Sequence, residues 1–138
     1  MTRVFGAVLL TVVAAFGIAA CGSSGNGGSS SPTTLAPVDA RGKKTVSVDA
    51  HNNAFSPPTI IVSPGTTVTW TNTDQVAHDV KKQSDTADFG GKFGVSVGDF
   101  GPGQTYSFTF TKPGSYPYFC SIHSLMTGTV QVEALTGQ

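Results

Sequence analysis

The sequence predicts an all-β chain, a β-sandwich of short strands, preceded by a segment that takes no part in it. Two observations carry that expectation. From Lys43 onward apolar and polar residues alternate with period two and no helical period competes. Pro-Gly pairs then punctuate the alternating runs, and short strands spaced by such turns are the pattern of an antiparallel sandwich or barrel. At 138 residues the chain has room for one such domain.

The elements follow in order. Val46 and Val48 alternate with Thr45 and Ser47, and Ile60-Ile61-Val62 is a short β-branched run. Val68 and Trp70 alternate with Thr67 and Thr69; Tyr106, Phe108 and Phe110 alternate with Ser107 and Thr109; Val130 and Val132 alternate with Thr129 and Gln131. Each reads as a half-buried strand with one face on a core. Pro64-Gly65, Pro102-Gly103 and Pro113-Gly114 each pair a preset φ with a residue that tolerates positive φ, as a type II turn requires. Nine Phe, three Tyr and one Trp supply enough bulk for the core. Residues 81–101 are the least regular and read as a long connection with a short strand near Val95 and Val97.

The N-terminus is of another kind. Arg3 is the only charge before Asp39, and an apolar stretch ends in Ile18-Ala19-Ala20-Cys21. That order of a positive n-region, an apolar h-region and a small-residue exit is a secretory signal peptide, assigned to residues 1–20. A membrane-spanning helix is the alternative, but the run is broken at Cys21-Gly22 short of the roughly 20 residues needed to span. The ending resembles the lipobox of bacterial lipoproteins, which implies cleavage before Cys21 and a diacylglyceryl group on its thiol. An unlipidated signal peptide and a Cys21–Cys120 disulfide are the competing readings. An acylated N-terminus would hold a small domain at a membrane surface, since each buried CH₂ contributes about 0.8 kcal/mol. Residues 21–42 then read as a flexible Gly/Ser/Pro linker unable to offset its ordering entropy. The folded domain is placed at residues 43–135, outside the cytoplasm.

Charge excludes some partners. Eight basic residues balance eight acidic ones, and no basic stripe exists for a phosphate backbone, so nucleic acid is not expected. Lys81-Lys82 reads as a solvated loop, and His51, in the polar segment Asp49-Ala50-His51-Asn52-Asn53, as surface.

Chemistry concentrates in Cys120-Ser121-Ile122-His123-Ser124-Leu125-Met126. The aromatic run Tyr116-Pro117-Tyr118-Phe119 leads into it, and Gly128-Thr129-Val130 resumes a strand after it, so Cys120, His123 and Met126 share one short loop. His78 lies beyond the strand containing Trp70. A thiolate, two imidazoles and a thioether form the ligand set of a blue-copper site: thiolate donates to Cu(II), Met sulfur suits Cu(I), and imidazole serves both. Zinc accepts the same four atoms, though structural zinc rarely recruits Met. Singly, each residue reads as packing; the spacing joins them.

The domain resembles a cupredoxin, most nearly the amicyanin and plastocyanin branch. The resemblance runs through Phe55-Ser56-Pro57-Pro58-Thr59-Ile60, the stretch from Val62 through Trp70 to Asn72, Ala77-His78-Asp79-Val80, and Gly114-Ser115-Tyr116-Pro117-Tyr118-Phe119-Cys120. Cys-x-x-His-x-x-Met is similar to the short ligand loop of amicyanin. The resemblance implies a Greek-key β-sandwich, the cupredoxin fold, of about seven to eight strands. It implies one type 1 copper ion held by His78, Cys120, His123 and Met126, with His123 at the rim as the exit for the electron and Met126 as the long axial ligand. Two positions depart from the family. Asp79 stands where the family has Asn, with Ser121 as its expected partner, and an anion there stabilises Cu(II), so Asp79→Asn is expected to raise the reduction potential. Ser124 stands where amicyanin-like loops carry Pro, which points to a softer loop.

These residues imply a monomeric, membrane-tethered one-electron carrier that meets redox protein partners, with extracytoplasmic copper storage or delivery as the alternative. An enzyme is not expected: three His in all and no His-x-His cannot build a trinuclear centre, and four protein ligands leave no open position.

Overall fold

A computed structural model of the chain describes residues 35–84 and 87–135. The segment read as a signal peptide, Cys21 and residues 22–34 of the expected linker lie outside the described residues. The described residues contain nine strands: β1 Val38–Asp39, β2 Thr45–His51, β3 Ala54–Ser56, β4 Thr59–Val62, β5 Thr66–Asn72, β6 Lys81–Lys82, β7 Thr105–Phe110, β8 Gly114–Phe119 and β9 Thr127–Val132. They form a five-stranded sheet in the order β1-β4-β9-β8-β6 and a four-stranded sheet in the order β3-β2-β5-β7. The architecture is the expected β-sandwich. Two of the nine strands are two residues long, which accounts for the larger number. One of them, β1, precedes Lys43: Val38 pairs with Ile60 and Asp39 with Ile61, and Ala40 is buried.

Alternation in the sequence sets which face is inside. On β5, Thr66, Val68, Trp70 and Asn72 point inward while Thr67, Thr69 and Thr71 are half-buried. Outward threonines pair across the β5–β7 ladder, where Thr67 Oγ1 lies 2.8 Å from Thr109 Oγ1. Val48, Ala50, Ile60, Val62, Val130 and Val132 close the core around Trp70, which stacks on Tyr106 at 5.5 Å and meets Tyr118 edge-on at 5.3 Å. Such pairs add about 0.5–1.5 kcal/mol each beyond their buried area.

Three expectations are corrected. The sandwich is mixed rather than antiparallel, because β1–β4, β4–β9 and β2–β5 are parallel. Parallel neighbours need crossover connections, and here the chain changes sheet after β1, β3, β4, β5, β6 and β7. No strand forms at Val95 and Val97. Val95 makes a single bridge to Val80, and Val97–Asp99 is a 3₁₀ turn. The connection is anchored by Phe89, Phe93 and Phe100 instead, two of which are buried, and Phe89 and Phe93 lie 4.3 Å apart. The third correction concerns the turns. Gly65 and Gly103 have φ of +89° and +74°, as type II turns require, but Gly114 at +155° opens β8.

Candidate metal centre

The β8–β9 hairpin builds most of the site. Inward alternation on β8 selects Tyr116 and Tyr118 and carries on to Cys120; on β9 it selects Val132, Val130 and Gly128 and extends back to Met126. Phe119 pairs with Thr127, so residues 120–126 close the hairpin at one end of the sandwich. Cys120 N–H donates to Met126 O at 2.9 Å, and Met126 N–H donates to His123 O at 3.0 Å. Two backbone bonds thus tie Met126 to Cys120 and to His123, and Ser124 is exposed. Cys120 and Met126 are both 1% exposed, while His123 is half-buried at the rim.

His78 comes from the connection between β5 and β6. Its N–H donates to Phe100 O at 3.1 Å and its ring is fully buried. Its Nδ1 lies 3.8 Å from Cys120 Sγ and 3.1 Å from His123 Nδ1, and His123 Nδ1 lies 3.5 Å from Cys120 Sγ. Three lone-pair donors facing one another at this range fit a shared cation. The point equidistant from the corners of a triangle with those sides lies about 2.0 Å from each, the length of a metal–imidazole bond and slightly under a metal–thiolate bond of about 2.3 Å. His78, Cys120 and His123 are the one such cluster of His, Cys and acidic side chains among the described residues. The expected four residues are thus brought to one end of the fold. A surface pocket lined by Lys82, Ala87, Phe89 and Phe93 among others includes none of them, so the donors identify this site and not a cavity.

Around the donors, two carboxylates matter, and one was not foreseen. Asp74 Oδ2 lies 2.8 Å from His78 Nε2. With Nδ1 aimed at the cluster, Nε2 carries the proton and donates it to Asp74, the outer bond that orients a metal-ligating imidazole. Asp74 is itself fixed by N–H bonds from Asn52 at 2.7 Å and Asn53 at 3.0 Å. Those two residues form the β2–β3 turn with φ of +52° and +54°. The bond from Asn53, foremost, with those from Asn52 and His78, outweighs burial and holds the Asp74 carboxyl down at about 2. His51 is exposed as expected, though Asp74 Oδ1 lies 4.0 Å from its Nδ1.

Asp79 is fully buried beside the loop. It accepts the Ser121 N–H at 2.6 Å and the Ser121 hydroxyl at 2.5 Å, the partnership expected from sequence. Burial pushes its carboxyl up, but the two Ser121 bonds and then Lys81 outweigh it and hold it below its ordinary value. Burial raises the Cys120 thiol; backbone N–H groups of Asp79 and Ile122 oppose the rise, and the Asp79 carboxylate adds to it. Lys81 is exposed as expected, but it lies on a strand and not in a loop. Strand β6 pairs Lys81 with Phe119, and its Nζ lies 3.0 Å from both Asp79 Oδ2 and Ser121 Oγ.

Comparison with known proteins decides the family. The profile of copper binding proteins of the plastocyanin/azurin family matches residues 43–133. The chain belongs to that family. Among its cupredoxin relatives, amicyanin from Paracoccus denitrificans is 33% identical over 133 residues, covering 96% of this chain and 97% of that one. Amicyanin-alpha from Methylorubrum extorquens is 39% identical over 83 residues, 57% of this chain and 64% of the relative. Plastocyanin from Scenedesmus fuscus is 33% identical over 64% of this chain and 98% of its own. The solved structure of an amicyanin mutant in its reduced state superposes with a TM-score of 0.55 at 34% identity, covering 64% of this chain and 82% of that chain. A copper-containing nitrite reductase from Thermus scotoductus superposes equally well, but the match spans only 22% of its length. Copper is thus the metal that the family binds, and the donor set fits it.

Proposed function

We propose that this cupredoxin is a one-electron carrier in which His78, Cys120, His123 and Met126 hold one type 1 copper ion. The observation that carries the proposal is the convergence of His78 Nδ1, Cys120 Sγ and His123 Nδ1 within 4 Å at the end of a closed sandwich. Bound there, copper supplies a Cu(II)/Cu(I) couple. The protein's part is to keep the ligands still. His78 is held by Asp74 and by the Phe100 carbonyl, Cys120 and Met126 share a backbone bond, and all three are buried. A site that does not rearrange between oxidation states transfers an electron quickly. His123 is the ligand nearest solvent, and Ile122 and Leu125 of the same loop are 51% and 93% exposed, which makes this rim the route to a redox protein partner.

The remaining parts of the proposal rest on sequence. Residues 1–20 act as a signal peptide, Cys21 carries the lipid, and the residues between Cys21 and β1 give the copper domain reach from the extracytoplasmic face of the membrane, where it works as a monomer and not as an enzyme. Voltammetry of the copper-loaded domain tests the electron carrier against copper storage or delivery. A reversible one-electron wave, with copper retained against a Cu(I) chelator through repeated cycles, is expected. Loss of Cu(I) to the chelator within one reduction would replace the carrier by the delivery reading.

A further inference from the structure

We propose that Lys81 is a positioning residue for this site: its ammonium offsets the inward Asp79 carboxylate and ties the Ser121 hydroxyl to the β6 strand. Resting on the copper reading above, the inference gives a role to a lysine whose side chain is half exposed. Its geometric basis is a closed triangle of side chains. Lys81 Nζ contacts Asp79 Oδ2 and Ser121 Oγ at 3.0 Å each, while Ser121 Oγ donates to Asp79 Oδ2 at 2.5 Å and Ser121 N–H to Asp79 Oδ1 at 2.6 Å. Asp79 directly follows His78, and Ser121 directly follows Cys120, so the triangle joins the two separate stretches of chain that deliver donors to the metal.

The burial pattern explains why a cation is needed. The Asp79 side chain is 0% exposed, whereas the Lys81 side chain is 50% exposed. A buried carboxylate without a counter-charge is costly, and breaking such a pair is more damaging than never having it. Lys81 reaches the carboxylate from outside because β6 fixes its backbone opposite Phe119, two residues before Ser121. Its ammonium stays half in water and gives up little hydration. The ammonium therefore offsets part of the carboxylate's charge toward the metal, while Asp79 keeps a carboxylate's capacity to accept two bonds from Ser121.

The offset has a sign that can be read. A negative charge near copper favours Cu(II) and a positive one favours Cu(I). Removing Lys81 exposes the metal to an unbalanced Asp79 and lowers the reduction potential. Removing the charge of Asp79 leaves Lys81 unbalanced and raises it. Removing both returns the potential toward the parent, and Lys81→Arg, which keeps the charge, holds it there.

The experiment has two arms on the same four proteins: parent, Lys81→Gln, Asp79→Asn and the double variant. In the first, the Cu(II)/Cu(I) ratio of copper-loaded protein is measured at fixed poise. Lys81→Gln is expected to shift that ratio at least threefold toward Cu(II), Asp79→Asn toward Cu(I), and the double variant to lie between them. In the second, the metal-free proteins are unfolded in urea. Each single variant is expected to lose stability, with a coupling of at least fivefold in the unfolding equilibrium across the cycle. A Lys81→Gln protein that matches the parent in both arms would overturn the proposal. Failure to form a type 1 copper site would count against the copper reading, while the urea arm still decides whether Lys81 and Asp79 act as a pair.

Discussion

Replacing Asp74 by Ala removes the acceptor that holds His78, and the structure sets the size of the effect. Three bonds are lost: those from Asn52 N–H, Asn53 N–H and His78 Nε2. The two asparagine amides belong to an exposed turn and regain water. The His78 ring is fully buried, so its Nε2–H is left without a partner, which costs about 1–3 kcal/mol. For a domain of this size each kcal/mol lowers Tm by about 4–8 °C, so the metal-free variant should melt at least about 4 °C below the parent. Loss of an outer-shell partner also weakens metal affinity by roughly 10–100-fold. Asp74→Asn keeps an oxygen for His78 but no charge; it should melt closer to the parent and show a raised reduction potential. Thermal unfolding by circular dichroism and competitive copper titration measure the two effects. An Asp74→Ala protein with unchanged Tm and copper affinity within twofold of the parent would refute the reasoning.

Two further predictions follow from other contacts. Gly128 lies opposite Tyr118 on the hairpin, and a Cβ there would overlap the phenol. Tyr118 cannot retreat, since Phe55 and Trp70 meet it edge-on at 4.9 and 5.3 Å, so Gly128→Ala should destabilise by about 1–3 kcal/mol and is checked by urea unfolding. Acid stability follows from Asp74, whose carboxyl is lowered from 3.8 to about 2 in the fold. Its contribution is complete above pH 4 and is lost as pH falls toward 2, because below both values the carboxyl is protonated in folded and unfolded chains alike. The parent's Tm should therefore drop more steeply than that of Asp74→Ala across that window, and parallel curves would contradict the assignment.

The ligands were readable because three of them share one seven-residue loop between two alternating strands, where spacing alone restricts geometry. The Asp79–Ser121 bond was readable through family resemblance. Asp74 and Lys81 were not. An acidic residue four before a histidine is common in surface turns, and a lysine pair beside an irregular stretch has the composition of solvent-facing chain. Their roles depend on the Asn52-Asn53 turn and on the pairing of β6 with β8, contacts between residues 21 and more apart in sequence. Strand direction was hidden for a similar reason. Alternation reports which face is buried, whereas the parallel pairing of β2 with β5 and of β4 with β9 arises from where the chain crosses between sheets.

The visible absorption spectrum of the Cu(II)-loaded protein tests the central claim most directly. An intense blue thiolate-to-copper band, present in the parent and abolished by Cys120→Ala, is the predicted result. A colourless Cu(II) adduct, or a band that survives Cys120→Ala, would contradict it.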